Sequence, residues 1–148
     1  MRKIAFLFLL MMMAGIQLNA QIRKIPSKVT TAFEKQYPTA HDVSYKGTLT
    51  NVQVHFVLDS IKMIAKYTNE GEWKETEKES NYDALPSEVK DGFTKSKFSN
   101  EWKVIETAII DLPSGAQRYR LKIEKNDIQK KYLYFDTTGK LLRDALTL

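Results

Sequence analysis

The 148-residue chain has no cysteine, so a disulfide framework, a thiolate nucleophile, Cys-ligated zinc and an iron–sulfur cluster are all excluded. Stability has to come from an apolar core. Imidazole is almost as scarce, with two histidines, His41 and His55, in neither a His-x-x-x-His spacing nor a setting rich in acidic ligands. Nucleophilic or acid/base catalysis needs a reactive group supported by a second one. His41 follows a helix stop and His55 alternates with Val54 and Phe56, so both read as surface or structural residues. No phosphate-cradling glycine loop and no Gly-x-Ser-x-Gly elbow is present. No metal, cofactor or catalytic residue is therefore expected.

Long apolar runs are missing beyond the first twenty residues. There, Arg2-Lys3 precede an apolar stretch from Ile4 to Leu18 that ends in Asn19-Ala20, the pattern of a secretory signal peptide over 1–20, with cleavage expected after Ala20. Fifteen residues fall short of the roughly 20 that a membrane-crossing helix needs. The mature protein is expected in the periplasm or outside the cell, with no stable membrane anchor after cleavage. It keeps 21 basic against 18 acidic residues. That surplus is mild, and an exported protein rarely meets nucleic acid, which argues against nucleic-acid binding.

What is present is internal similarity. The segment Ile25-Pro26-Ser27-Lys28-Val29-Thr30-Thr31-Ala32-Phe33-Glu34-Lys35 aligns with Leu85-Pro86-Ser87-Glu88-Val89-Lys90-Asp91-Gly92-Phe93-Thr94-Lys95, matching Pro, Ser, Val, Phe and Lys. Each copy ends in an aromatic, a polar turn and glycine: Tyr67-Thr68-Asn69-Glu70-Gly71 and Phe135-Asp136-Thr137-Thr138-Gly139. The shared slot makes Asp136-Thr137-Thr138-Gly139 a hairpin turn rather than a catalytic Asp-Thr-Gly. Residues 21–80 and 81–148 are thus expected to be two repeats, joined through the polar stretch 78–84.

Each repeat opens with a helix. Pro26 and Pro86 suit the first helical position, and Val29, Phe33 and Tyr37 recur on one stripe before Pro38 stops it. Gly92 weakens the second helix by about 1 kcal/mol relative to Ala. The period then changes to two, with Val52, Val54, Phe56 and Leu58 alternating in one copy and Tyr119, Leu121 and Ile123 in the other. Turn residues at 46–47, 59–60, 69–71, 113–115, 126–127 and 137–139 divide each copy into four strands. The fold class is α+β, two tandem units of a helix and a four-stranded antiparallel sheet. The second copy is longer, with the excess expected around 109–115. The acidic run from Glu70 to Glu79 reads as an exposed strand edge that discourages aggregation.

The Pro-Ser-x-Val-x-x-x-Phe openings, Tyr37-Pro38, Val43-x-Tyr45, Gly71-Glu72-Trp73 and Tyr134-Phe135-Asp136-x-x-Gly139-Lys140-Leu141 resemble the PepSY-like, beta-lactamase-inhibitor-like family of exported bacterial proteins. The resemblance implies tandem helix-plus-four-strand units whose sheets join into a curved surface. It also implies a surface that binds a protein enzyme, and an association with restraining peptidases. No target-contacting residue carries over to a position here.

If one sheet face packs under the helices, the other is left for water or a partner. Alternation places Arg118, Arg120 and Lys122 opposite to Tyr119, Leu121 and Ile123, and Lys130, Tyr132 and Tyr134 opposite to Leu133 and Phe135. These six are the candidate partner-binding residues, since Arg and Tyr are common interface anchors. The competing reading is a solvated face whose long side chains cover the tyrosine rings. In the first repeat the same face is expected to hold Gln53, His55, Lys62, Ile64 and Lys66. Trp73 and Trp102 read as core or cross-strand partners. The expectation is a non-enzymatic module presenting a sheet to a protein or peptide partner, such as an envelope peptidase or hydrolase. Small-ligand carriage in a groove between the repeats is the alternative, and hydrolysis resting on His41 or His55 is the weakest reading.

Overall fold

The computed structural model describes residues 24–147, so the signal peptide expected at 1–20 lies outside the described residues. Helix α1 (Ser27–Gln36) begins one residue after Pro26, whose extended backbone turns the chain while its carbonyl accepts bonds from Val29 and Thr30. Pro26 and Pro86 therefore stand at the cap, one place earlier than the sequence suggests. Strands β1 (His41–Gly47), β2 (Asn51–Leu58), β3 (Ile61–Thr68) and β4 (Trp73–Ser80) follow. A 3-10 turn at Tyr82–Ala84 leads to α2 (Ser87–Thr94), then β5 (Lys103–Asp111), β6 (Gln117–Glu124), β7 (Lys130–Asp136) and β8 (Leu141–Leu146). Among the described residues no helix is long and apolar enough to cross a membrane.

All eight strands form one antiparallel sheet in sequence order. This corrects the expectation of two four-stranded sheets: β4 pairs with β5 from Thr76↔Asp111 to Ser80↔Thr107. An unjoined β4 would expose a row of unpaired N–H and C=O groups, and pairing across the seam satisfies them. The acidic strand β4 is accordingly interior, not an edge. The edges of the sheet are β1 and β8.

Register puts both helices on one face. Val54, Ala65 and Thr76 stand in one row, and Lys78, Ile109 and Tyr119 in the next, so the buried residues of both halves share a side. Under α1, Val29 and Phe33 pack on Val52, Val54, Phe56, Ala65 and Tyr67. Under α2, Val89 and Phe93 pack on Tyr119, Leu121, Ile123, Leu133 and Phe135. Between the two cores the seam is polar, with Tyr37 and Thr76 sharing a hydrogen bond of 2.6 Å, and Lys78 paired to Asp111 at 2.7 Å. Trp73 donates from Nε1 to Thr76 Oγ1 at 2.9 Å, and Trp102 meets Phe98 edge-on, so each tryptophan lines its own core.

Two glycines explain the repeated turn. At Gly71 (φ 87°) a Cβ would lie 2.6 Å from the Lys28 carbonyl oxygen, and at Gly139 (φ 80°) 2.0 Å from that of Glu88. The hairpins thus rest directly on the helix backbone, which no side chain permits. Gly92 has the same origin, since its own Cβ would meet the Gly139 carbonyl oxygen at 2.0 Å. Most of the extra length of the second half is where it was expected, in the hairpin around 109–115: Thr107 and its partner Leu121 are 14 positions apart, against 9 for the equivalent pair Tyr45 and Val54. The remainder lies in the 95–102 connector between α2 and β5, which carries Phe98 and Trp102 into the core, and in the 125–129 turn between β6 and β7.

Candidate binding face

On the side away from the helices, alternation and register assemble a second set of residues. Gln53↔Lys66, His55↔Ile64 and Val57↔Lys62 bring the first half's candidates onto this open face. Glu75, Glu77 and Glu79 of β4 and Glu106, Ala108 and Ile110 of β5 continue it across the seam. All six second-half candidates lie here as well, in the pairs Arg118↔Asp136, Arg120↔Tyr134, Lys122↔Tyr132 and Glu124↔Lys130. Arg143 and Ala145 of β8 complete the face. Among the described residues, neither helix covers it.

The six candidates differ in what they touch. Arg118 is exposed. Arg120 reaches over the small Ala108, which stands directly opposite it, to Glu77 on β4, with Nη2 to Oε1 at 2.6 Å. Its side chain is 17% exposed and that of Glu77 8%, so this pair is largely withdrawn from water. It also bridges the two halves, because β4 belongs to one and β6 to the other. Lys122 pairs with Glu106 at 2.6 Å, and Lys130 lies 3.7 Å from Glu124. Arg120 stacks 4.5 Å from the Tyr132 ring centre and Arg143 stacks 4.0 Å from Tyr134, while the two tyrosine rings are 6.5 Å apart. Guanidinium–ring pairs contribute about 0.5–2 kcal/mol each, least where the cation is exposed, as Arg143 is.

Burial pushes the Glu77 carboxyl above the ordinary glutamate range, Arg120 and Lys66 pull it back, and Glu75 and Glu106 push it further up. Desolvation wins over the ion pair, as is common when two charges leave water together. The Arg120 Nε is buried without a partner, which adds to the cost.

Sequence reasoning missed Glu77, Glu106 and Arg143. The spacing of Glu75, Glu77 and Glu79 did carry a signal, a strict period of two on one face, but nothing local identifies Arg120 as the partner of Glu77. His41 meets its neighbour Asp42 at 3.1 Å, and His55 sits on the open face. Among the described residues no three His, Asp or Glu side chains converge as a metal site.

The open face also holds a groove of 510 Å³ whose lining includes Lys62, Ile64, Glu77, Glu79, Glu106 and Arg120. It lies over the β4–β5 seam, toward the end of the sheet where β2 turns into β3.

A family described as "Putative beta-lactamase-inhibitor-like, PepSY-like" matches residues 45–143. Among solved structures, a "putative periplasmic" protein from Bacteroides eggerthii is similar at 22% identity and a TM-score of 0.73, over 83% of this chain and 89% of that one. A BLIP-like protein from Bacteroides fragilis is similar at 24% identity and a TM-score of 0.68, over 82% of this chain and 85% of that one. No curated protein matches. The likenesses to solved structures show the fold.

Proposed function

The chain belongs to the beta-lactamase-inhibitor-like, PepSY-like family, and from that premise we propose that it is an exported, non-enzymatic binding module whose open sheet face docks a protein or peptide partner. One observation carries the reading: both helices sit on the same side of the sheet, while the other side presents tyrosines held by arginines. Rings already fixed in place lose little side-chain entropy on binding, so their contact area converts efficiently into affinity. Arg118, Tyr132 and Tyr134, with Arg143 beside them, are the anchors. Arg120, Lys122 and Lys130 are tied to carboxylates and hold the surface in shape. Occlusion of an envelope peptidase or hydrolase by this preformed surface is the mechanism.

Export is supported by the leader pattern at 1–20 and by the description of the Bacteroides eggerthii relative as periplasmic. Residues 21–80 and 81–148 are read as two copies of one unit. The equivalent rests of Gly71 on Lys28 and Gly139 on Glu88 favour that division.

A photo-crosslinking residue placed at Tyr134 is expected to capture a partner in the envelope, whereas one at Lys35 on α1 captures none. Equal capture from both positions would sink the open-face reading. The groove at the seam favours small-ligand carriage as the second reading, its volume lying within the usual range for ligand pockets. A thermal shift produced by an envelope metabolite, with no crosslink from Tyr134, would promote it.

A further inference from the structure

Two bulges stand at the rims of the seam groove. On β1 the register passes from His41↔Val57 to Ser44↔His55, and on β5 from Val104↔Ile123 to Glu106↔Lys122, so each strand carries one extra residue. These irregularities re-aim Asp42, at φ 52°, and Ile105, 39% exposed, and both line the groove. Bulges are over-represented beside binding sites because they redirect a side chain in this way.

The charge of the groove runs against that of the chain. Basic residues outnumber acidic ones in the sequence, 23 to 18, yet the groove is lined by Asp42, Glu77, Glu79 and Glu106 against Lys62 and Arg120. Arg120 and Glu77 neutralise each other and Glu106 is paired with Lys122, which leaves two exposed carboxylates, Asp42 and Glu79, around a single lysine. Val57, Ile64 and Ile105 supply apolar wall between them.

Building on the docking function above, we propose that this groove receives a lysine or arginine side chain from an extended segment of the partner. The aliphatic stem lies along Val57, Ile64 and Ile105, as long basic side chains do on apolar surface. The charged head reaches Asp42 and Glu79, where charge-assisted bonds are stronger than neutral ones. An acidic side chain meets Asp42 and Glu79 as repulsion. An apolar one desolvates those carboxylates without giving them a partner.

The test is a titration of isotope-labelled protein with the peptide acetyl-Thr-Val-Lys-Val-Thr-amide and with versions carrying glutamate or norleucine in place of the lysine. The lysine peptide is expected to give saturable amide shifts at Ile64, Glu79 and Ile105. The double variant Asp42→Asn/Glu79→Gln, at two carboxylates on the surface and with folding confirmed by its dispersed amide spectrum, is expected to weaken binding about tenfold. The groove assignment is overturned if the glutamate or norleucine peptide binds as tightly as the lysine peptide, or if no peptide gives saturable shifts. Shifts confined to Tyr132, Tyr134 and β8 would also overturn it, while leaving the open-face reading standing. Failure of that reading shows separately, as equal crosslinking from α1 and Tyr134.

Discussion

Strands β1 and β5 occupy the same place in their halves, directly after the helix, yet β1 ends the sheet and β5 is in its middle. The sequences differ accordingly: β1 is exposed at six of its seven positions, whereas Thr107, Ala108 and Ile110 of β5 are buried. The helix sides of the two halves correspond much more closely, with Val29 and Phe33 matched by Val89 and Phe93, and Gly71 by Gly139. The open faces do not correspond. One carries Gln53, His55, Ile64 and lysines, the other an arginine–tyrosine cluster. A shared packing plan constrains the covered side, and divergence collects on the side that packing does not constrain.

The largest expected effects test whether the halves form one cooperative unit. Phe33→Ala and Phe93→Ala should each cost about 3–5 kcal/mol in urea unfolding, in a single transition. Two separable transitions, each sensitive to one substitution, would break the continuity that β4–β5 pairing implies. Glu77→Ala leaves the Arg120 charge buried and unpaired, and about 3–5 kcal/mol should be lost. Replacing both members, as Glu77→Leu/Arg120→Met, should recover most of that loss. If it does not, the pair does more than bridge the seam.

Gly139→Ala and Gly71→Ala come next, at roughly 2–5 kcal/mol each from left-handed backbone strain and collision with the helix, with the larger loss at Gly139, where the approach is closer. Gly115 has positive φ but open space around it, so Gly115→Ala should cost only about 1 kcal/mol.

A pH comparison is smaller and has a definite sign. The folded-state pKa of Glu77 is raised, so its contribution to stability is present in full below the ordinary glutamate range and falls as pH rises through the folded value. Relative to Glu77→Gln, the wild type should lose stability between about pH 3 and about pH 7. A gain would mean that attraction to Arg120 outweighs burial. Asp144, lowered mainly by its bond from Lys131, and Asp136, lowered mainly by Thr138, act in the opposite sense and lose their contribution as pH falls. The smallest effect is expected from Lys122→Ala, about 0–1 kcal/mol, because its partner Glu106 is half exposed.

Much of this fold was legible without coordinates. The alternation of Val52, Val54 and Phe56, and of Tyr119, Leu121 and Ile123, matches the buried face, and the Asp59-Ser60 turn appears with both residues at positive φ. The acidic strand β4 was misread because an alternating charged strand looks the same at an edge as in an interior position whose open face is matched by cations. The gathering of Arg118, Arg120, Lys122, Lys130, Tyr132 and Tyr134 on one face was also legible. The ties of Arg120 to Glu77 and of Arg143 to Tyr134 were not.

Sequence by itself determined which side of each strand is apolar and where the chain turns, since these follow from side-chain period and backbone sterics within a few residues. Tertiary structure decided that the two halves share one sheet and which charges neutralise each other. The physical reason is reach: strand pairing and ion pairing act across space between residues tens of positions apart, and no local pattern records them.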